Sequence, residues 1–331
     1  MNYCTLFNSQ YLSRGLALYY SLVACAKDFH LTIFAFDDAA FDILTRLELS
    51  RATIISLKEF ESQELLAVKP SRTIAEYCWT CTSSVILYCL EKLKFKEVCY
   101  LDADLYFWQD PIVLIQEAKA HSILITEHRY TKQYDNVDLS GKYCVQFMYF
   151  KNDQYGLEAL YWWKAACLKW CYNRVEEGKF GDQKYLDDWL ERFEKVKVLA
   201  HLGGGVAPWN VQQYDIEPEN KIVKCVERQS GHPFDLVFYH FHGVKFINEY
   251  IDLGGYKLSN QVKNVIYKPY IKALLNIEIQ LKEHSRLQEI IKTINLHCKL
   301  LKSFSIMDHL RRIKNSFAGN NNYYSLDYFR G

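Results

Sequence analysis

Val98-Cys99-Tyr100-Leu101-Asp102-Ala103-Asp104 reads as a buried strand that ends in two carboxylates two residues apart. In extended backbone, residues i and i+2 project from the same face, so Asp102 and Asp104 point the same way. Two like charges held together at a strand end repel unless something cationic sits between them. A hard divalent cation with oxygen ligands meets that need. A solvated acidic turn is the ordinary alternative for any isolated Asp-x-Asp.

Upstream of this stretch, strand-like and helix-like patterns alternate. Residues 3–7, 31–36 and 52–57 are short apolar runs, and residues 12–27, 41–50 and 74–93 have helical spacing. The run 97–101 is then the fourth strand. This alternation predicts an α/β fold with a mostly parallel central sheet flanked by helices. Ligands in such sheets bind beyond the carboxyl ends of strands, which marks Asn8, Asp37, Asp38, Asp102 and Asp104. Downstream, residues 122–126, 143–150, 196–199 and 236–241 read as strands, and 155–174 and 184–193 as helices. From about residue 267 the chain turns helical, and a polar, aromatic tail at 320–331 is expected to be partly disordered. We expect a catalytic domain over residues 1–250 and a C-terminal helical extension with a polar tail over 251–331.

Three further clusters carry chemistry. Val237-Phe238-Tyr239-His240-Phe241-His242-Gly243 puts two imidazoles at another strand end, where neutral imidazole suits Mn²⁺-type ions better than Mg²⁺. Phe180-Gly181-Asp182-Gln183, followed by Asp187-Asp188, sets an acid and an amide before a helix; on pattern alone Asp182 reads as the cap of that helix. Gly203-Gly204-Gly205 leads into Pro208-Trp209-Asn210. That segment admits two readings: a mobile lid that closes over a ligand, with Gly204, Trp209 and Asn210 facing it, or a fixed glycine-rich connection with Trp209 in the core.

Composition narrows the classes. The 331 residues carry 40 basic and 39 acidic side chains for a net charge of +1, which excludes a globally basic nucleic-acid binder. Half the residues are hydrophobic, enough for a large core. The 11 cysteines scatter through apolar stretches without zinc-site spacing, so reduced, buried thiols in the cytoplasm are expected. No signal peptide or membrane-span pattern is read.

Taken in order, the Asp37-Asp38 strand end, Asp102-Ala-Asp104, Gly181-Asp182-Gln183, Pro208-Trp209-Asn210 and His240-Phe-His242-Gly243 resemble metal-dependent nucleotide-sugar glycosyltransferases of the GT-A fold. Within these the likeness is to family-8-like bacterial enzymes of lipopolysaccharide and capsule assembly, and it spans roughly residues 1–250. The resemblance implies Mn²⁺ (or Mg²⁺) held by Asp102, Asp104 and His240, with His242 as the alternative imidazole. It implies a nucleoside-diphosphate sugar as donor, in the first instance a UDP-sugar, with Asn8, Asp37 and Asp38 near the nucleoside and Asp102 also on the ribose. Asp182 and Gln183 would face the transferred sugar. The family's lysine three residues after the glycine is Phe246 here, and the basic residue on the helix before the acidic strand is missing. Lys245 and Arg72 are the substitutes for contacts to the diphosphate.

The implied reaction transfers a sugar to a hydroxyl of a glycan or lipid-linked acceptor, with family likeness favouring retention. Inversion would need a carboxylate base, for which Asp182 and Asp187 are candidates. A non-catalytic nucleotide-sugar or polysaccharide scaffold is the rival of another class, and an aspartate-nucleophile phosphatase a third reading. At residues 299–314, basic and apolar side chains interleave. That pattern fits either a helix lying on an anionic membrane at its inner face or one packed on the catalytic domain or a second copy of the chain.

Overall fold

A computed structural model describes residues 1–220, 222–247, 249–293 and 322–330. Its centre is a seven-stranded sheet in the order β3-β2-β1-β4-β7-β6-β8. These strands are β1 (Asn2–Phe7), β2 (His30–Ala35), β3 (Ala52–Ser56), β4 (Glu97–Leu101), β6 (Ile123–Glu127), β7 (Tyr143–Lys151) and β8 (Val196–Val198). β5 (Leu105–Phe107) leaves the sheet directly after the acidic pair. β1, β2, β3 and β4 pair in parallel, β7 runs antiparallel to both β4 and β6, and β8 is parallel to β6. The order reverses at β1 and β4, so both carboxyl ends open into one crevice.

The sheet is buried on both faces because its strands alternate between two cores. Tyr3 and Phe7 of β1, with Cys99 and Leu101 of β4, pack on the side of helices Leu12–Cys25 and Lys268–Glu283. Cys4 and Leu6, with Val98 and Tyr100, pack on the side of helices Ile74–Glu91 and Gln154–Lys169. Thr73 and Glu76 form a reciprocal capping box that starts the helix Ile74–Glu91. Glu76 also accepts from the Asn173 N–H at 2.8 Å, tying the loop beyond helix Gln154–Lys169 to the same point.

Smaller sheets close the crevice. β12 (Phe238–His240) pairs antiparallel with β5, setting His240 opposite Leu105. β9 (Tyr214–Glu219), β10 (Ile222–Glu227) and β11 (Pro233–Asp235) form an antiparallel sheet, and β13 (Lys245–Ile247) pairs with β14 (Tyr250–Asp252).

Most elements lie where the hydrophobic spacing puts them, and the exceptions have physical causes. The helix expected from residue 41 starts at Asp38, because the Asp37 carboxylate caps it through the Ala40 N–H. Residues 184–193 divide into a tight turn, Gln183–Asp188, and a short helix, Trp189–Arg192. Within the tail, residues 322–330 are described. Tyr323–Ser325 is β15, hydrogen-bonded along β14, and Asp327–Arg330 is helical with Phe329 fully buried. The basic, apolar stretch at 299–314 lies outside the described residues. Among the described residues, no helix is long and apolar enough to cross a membrane, and the ten cysteines are free thiols, mostly buried.

Candidate metal and donor site

Backbone pairing places the three candidate ligands. The Asp102 N–H donates to the Gln146 carbonyl at 3.0 Å, the last ladder bond between β4 and β7. The Asp104 carbonyl accepts from the Phe241 N–H at 3.0 Å, and the His240 N–H donates to the Val206 carbonyl at 2.9 Å. The side chains consequently converge. His240 Nε2 lies 3.1 Å from Asp104 Oδ1 and 3.8 Å from Asp102 Oδ2. One ligand atom from each residue falls within 4.8 Å of the others. Adjacent ligands at about 2.1 Å from an octahedral ion stand about 3 Å apart, so the spacing accommodates a small divalent cation. Two carboxylates and one imidazole form a mixed oxygen and nitrogen donor set suited to a divalent cation.

The imidazole and the two carboxylates shift one another's protonation. Burial alone would lower the His240 pKa, but the flanking Asp104 and Asp102 carboxylates raise it well above the ordinary value. Burial raises Asp102, against the pull of His240, while the charge of His240 overcomes burial at Asp104 and holds it below the usual carboxylate range. The Tyr100 hydroxyl donates to Asp102 Oδ1 at 3.1 Å, leaving Oδ2 toward His240.

His240 is braced from behind. Its Nδ1 is 2.8 Å from Gln146 Oε1, and the Trp209 ring stands nearly perpendicular to it at a centroid distance of 5.3 Å. Trp209 in turn donates from Nε1 to the His128 carbonyl at 2.9 Å. Neither brace was found from sequence, although a lone Gln within the apolar run Tyr143–Lys151 was a visible signal. His242 is exposed and packs on Trp209 and His240 at 5.7 and 5.9 Å, so both imidazoles border the site, but only His240 belongs to the ligand cluster.

Asp182 is the third carboxylate here. Its side chain does not cap the turn that follows, which corrects the reading of Asp182 as a helix cap. Burial, reinforced by the Asp102 charge and opposed by the Thr82 hydroxyl, raises it to about 7. Gln183 and Asp187 are committed elsewhere. Gln183 Nε2 donates to the Ser140 carbonyl at 2.9 Å, while Asp187 accepts from the Lys142 N–H at 2.7 Å and pairs with Lys184 at 3.0 Å. Both pin the 140–142 turn, where Gly141 has φ +92°.

The expected donor residues scatter more widely. Asn8 caps a short turn through the Gln10 N–H, and Asp37 accepts from the Ser9 N–H and hydroxyl at 2.9 and 2.7 Å. Asp38 is exposed and, with Phe36, Asp37, Leu57, Lys58 and Lys69, lines a cleft of about 630 Å³ beside this strand end. Arg72 stacks on Tyr172 at 3.8 Å and reaches the Leu168 carbonyl at 3.5 Å. Lys245 is exposed at the start of β13, and Phe246 is buried.

The triple-glycine segment is packed tightly. A Cβ at Gly203 would stand 2.0 Å from the Asp235 carbonyl oxygen, and one at Gly204 2.6 Å from Leu199. Trp209 and Asn210 are buried. Asn210 donates to the His128 and Gly205 carbonyls at 2.8 and 2.9 Å and accepts from the Ala207 N–H. The segment is close-packed in this conformation, and the Asn210 amide hydrogen-bonds within the protein.

No family model matches the chain. Two relatives in Bacillus subtilis (strain 168) do. The uncharacterized protein YfnD is 28% identical over 277 residues, 82% of this chain and 87% of that protein. The uncharacterized protein YfnF is 31% identical over 255 residues, 74% and 82% of the two chains. Among solved structures, the galactosyltransferase LgtC in complex with donor and acceptor sugar analogs aligns with a TM-score of 0.54. That alignment covers 83% of this chain and 96% of LgtC at 10% identity, a likeness of GT-A-like fold.

Proposed function

We propose that this chain, which belongs to the same family as the Bacillus subtilis protein YfnF, is a divalent-metal-dependent glycosyltransferase. It moves a sugar from a nucleoside-diphosphate sugar to a hydroxyl of a glycan or lipid-linked acceptor. The observation that carries this reading is the convergence of Asp102, Asp104 and His240 at the crevice of a GT-A-like sheet. LgtC, which shares that fold, is a galactosyltransferase crystallised with donor and acceptor sugar analogs. Residues 1–250 form the catalytic unit in this reading, and 251–331 extend it.

Asp102, Asp104 and His240 would hold the ion, and Mn²⁺ fits the donor set at least as well as Mg²⁺. When bound, a divalent cation supplies positive charge to the leaving diphosphate. The chain's own residues do the rest. Asp102 and Asp104 present carboxylate oxygens on one face, and Asp182, neutral up to about pH 7, offers a proton donor beside Asp102. A nucleoside fits the cleft beside Asp38, with a UDP-sugar as the first donor to try. Lys245 stands near His242 as an available cation. We favour retention, since Asp187, the other candidate base, is held by Lys142 and Lys184.

Titration calorimetry with Mn²⁺, followed by release of nucleoside diphosphate from a panel of sugar nucleotides, tests the proposal. Turnover should vanish on exhaustive chelation and return with Mn²⁺. Asp104→Ala removes both a ligand and the counter-charge of His240, so it should neither bind the ion nor turn over, and metal-free melts control for the loss of that ion pair. Full activity after chelation refutes the metal assignment; metal and donor binding without turnover favours a scaffold.

A further inference from the structure

We propose that Gln146 is a positioning residue for the ion site: it fixes the His240 imidazole with Nε2 toward Asp102 and Asp104, and it sets metal affinity without touching the donor. This rests on the reading of the Asp102, Asp104 and His240 cluster as a cation site. β7 reads Tyr-Cys-Val-Gln-Phe-Met-Tyr-Phe-Lys, and its first eight residues are buried. Gln146 is fully buried in that run. A buried amide is costly without a partner. Here the side-chain amide has one protein partner, a candidate ligand met through Oε1, while its Nε2 has none among the described residues. The Gln146 carbonyl accepts from the Asp102 N–H at 3.0 Å, and Gln146 Oε1 accepts from His240 Nδ1 at 2.8 Å. The first bond belongs to the backbone ladder and would survive substitution; the second, to the imidazole, is the one the glutamine side chain supplies.

The surroundings are shaped around this amide. The pairing of β6 with β7 loses its register between Leu124 and Thr126, across the strand from Gln146. Such irregularities re-aim side chains next to sites. On the far side, Gly205 has φ +90°, and a Cβ there would stand 3.3 Å from Gln146 Nε2. Gly205 is held in turn by Asn210 Nδ2 at 2.9 Å. The Trp209 ring and the Gln146 oxygen therefore restrain the same imidazole, one by packing and the other by fixing rotation and tautomer. With the proton kept on Nδ1, the Nε2 lone pair faces the carboxylates, as a metal-ligating histidine requires.

The test compares Gln146→Met, which keeps volume but cannot accept a proton, with Gln146→Glu, which accepts more strongly. Mn²⁺ affinity is measured by calorimetry and by electron paramagnetic resonance of the free ion, with metal-free thermal melts as the control for folding. Gln146→Met should weaken Mn²⁺ binding about 10–100-fold, the range for loss of such a support. Gln146→Glu should bind at least as tightly as the original chain. Saturating Mn²⁺ should restore kcat in Gln146→Met with the donor KM unchanged, which general loosening of the fold would not do. Gln146→Met within threefold of the original affinity overturns the proposal, and so does a tenfold loss in Gln146→Glu, the variant that decides if Gln146→Met does not fold. An original chain that binds no Mn²⁺ removes the cation-site reading itself, and this proposal with it.

Discussion

Asp182→Asn separates the cost of a buried charge from the fold around it. In the folded, metal-free protein the Asp182 carboxyl keeps its proton up to about pH 7, because burial and the Asp102 charge outweigh the Thr82 hydroxyl. In the unfolded chain the same group titrates near 3.8. Between these values the folded state binds the extra proton, so its stability falls as pH rises and levels off above the folded pKa. At 1.36 kcal/mol for each pH unit, the interval from 3.8 to about 7 amounts to about 4 kcal/mol, of which about 3 kcal/mol falls between pH 5 and pH 8. Asparagine has nearly the same shape and no charge at any pH. Urea unfolding of both proteins in chelator at pH 5 and pH 8 should therefore show the variant gaining about 3 kcal/mol relative to the original chain. Curves that shift in parallel, with a difference independent of pH, would refute a neutral Asp182 and the role of proton donor given to it.

Three other outcomes are expected. His240→Ala should abolish Mn²⁺ binding in calorimetry while His242→Ala weakens it only modestly; the reverse order would move the ligand to the outer imidazole. Gly205→Ala should destabilise by about 1–3 kcal/mol in urea melts, since φ is +90° and the new Cβ would stand 2.7 Å from Thr126 and 2.8 Å from Arg129. Trp209→Ala should cost about 3–5 kcal/mol, as for other large buried rings, and lower Mn²⁺ affinity as well; a stability loss under 1 kcal/mol would place the ring outside the core.

The parts of the fold readable in sequence were those governed by local periodicity. Residues 97–101 were read as a strand with the bounds that β4 has, because continuous apolar spacing and the carboxylates at its end leave little choice. The acidic pair and His240 were readable for the same reason, each standing at the end of an apolar run. What escaped was decided by distant packing. β5 and β13 are three residues each, too short for a periodic signal, and exist because β12 and β14 lie beside them. Asp182 looked like a cap because acid before a helix usually is one, and only the burial beside Asp102 gives it another character. Asn210 and Gln183 are amides whose partners, His128 and Ser140, lie more than 40 residues away in sequence. Gln146 was hidden by its strand: the pattern announces burial but not the imidazole opposite.

The ribbon of β5 and β12 also dictates when the site comes into being. It joins Leu105–Phe107 to Phe238–His240, segments separated by roughly 130 residues, and a closure of that length costs entropy before any contact rewards it. During synthesis the acidic strand end emerges long before the imidazole. Until the ribbon zips, Asp102 and Asp104 face each other without a counter-charge, and the Asp104 carbonyl lacks its Phe241 partner. A nascent or truncated chain therefore carries both carboxylates without the coordination site they help to build. On the proposed reading, ion capture is confined to chains that have paired β5 with β12, and a bound cation would then favour that finished state over every earlier one by mass action.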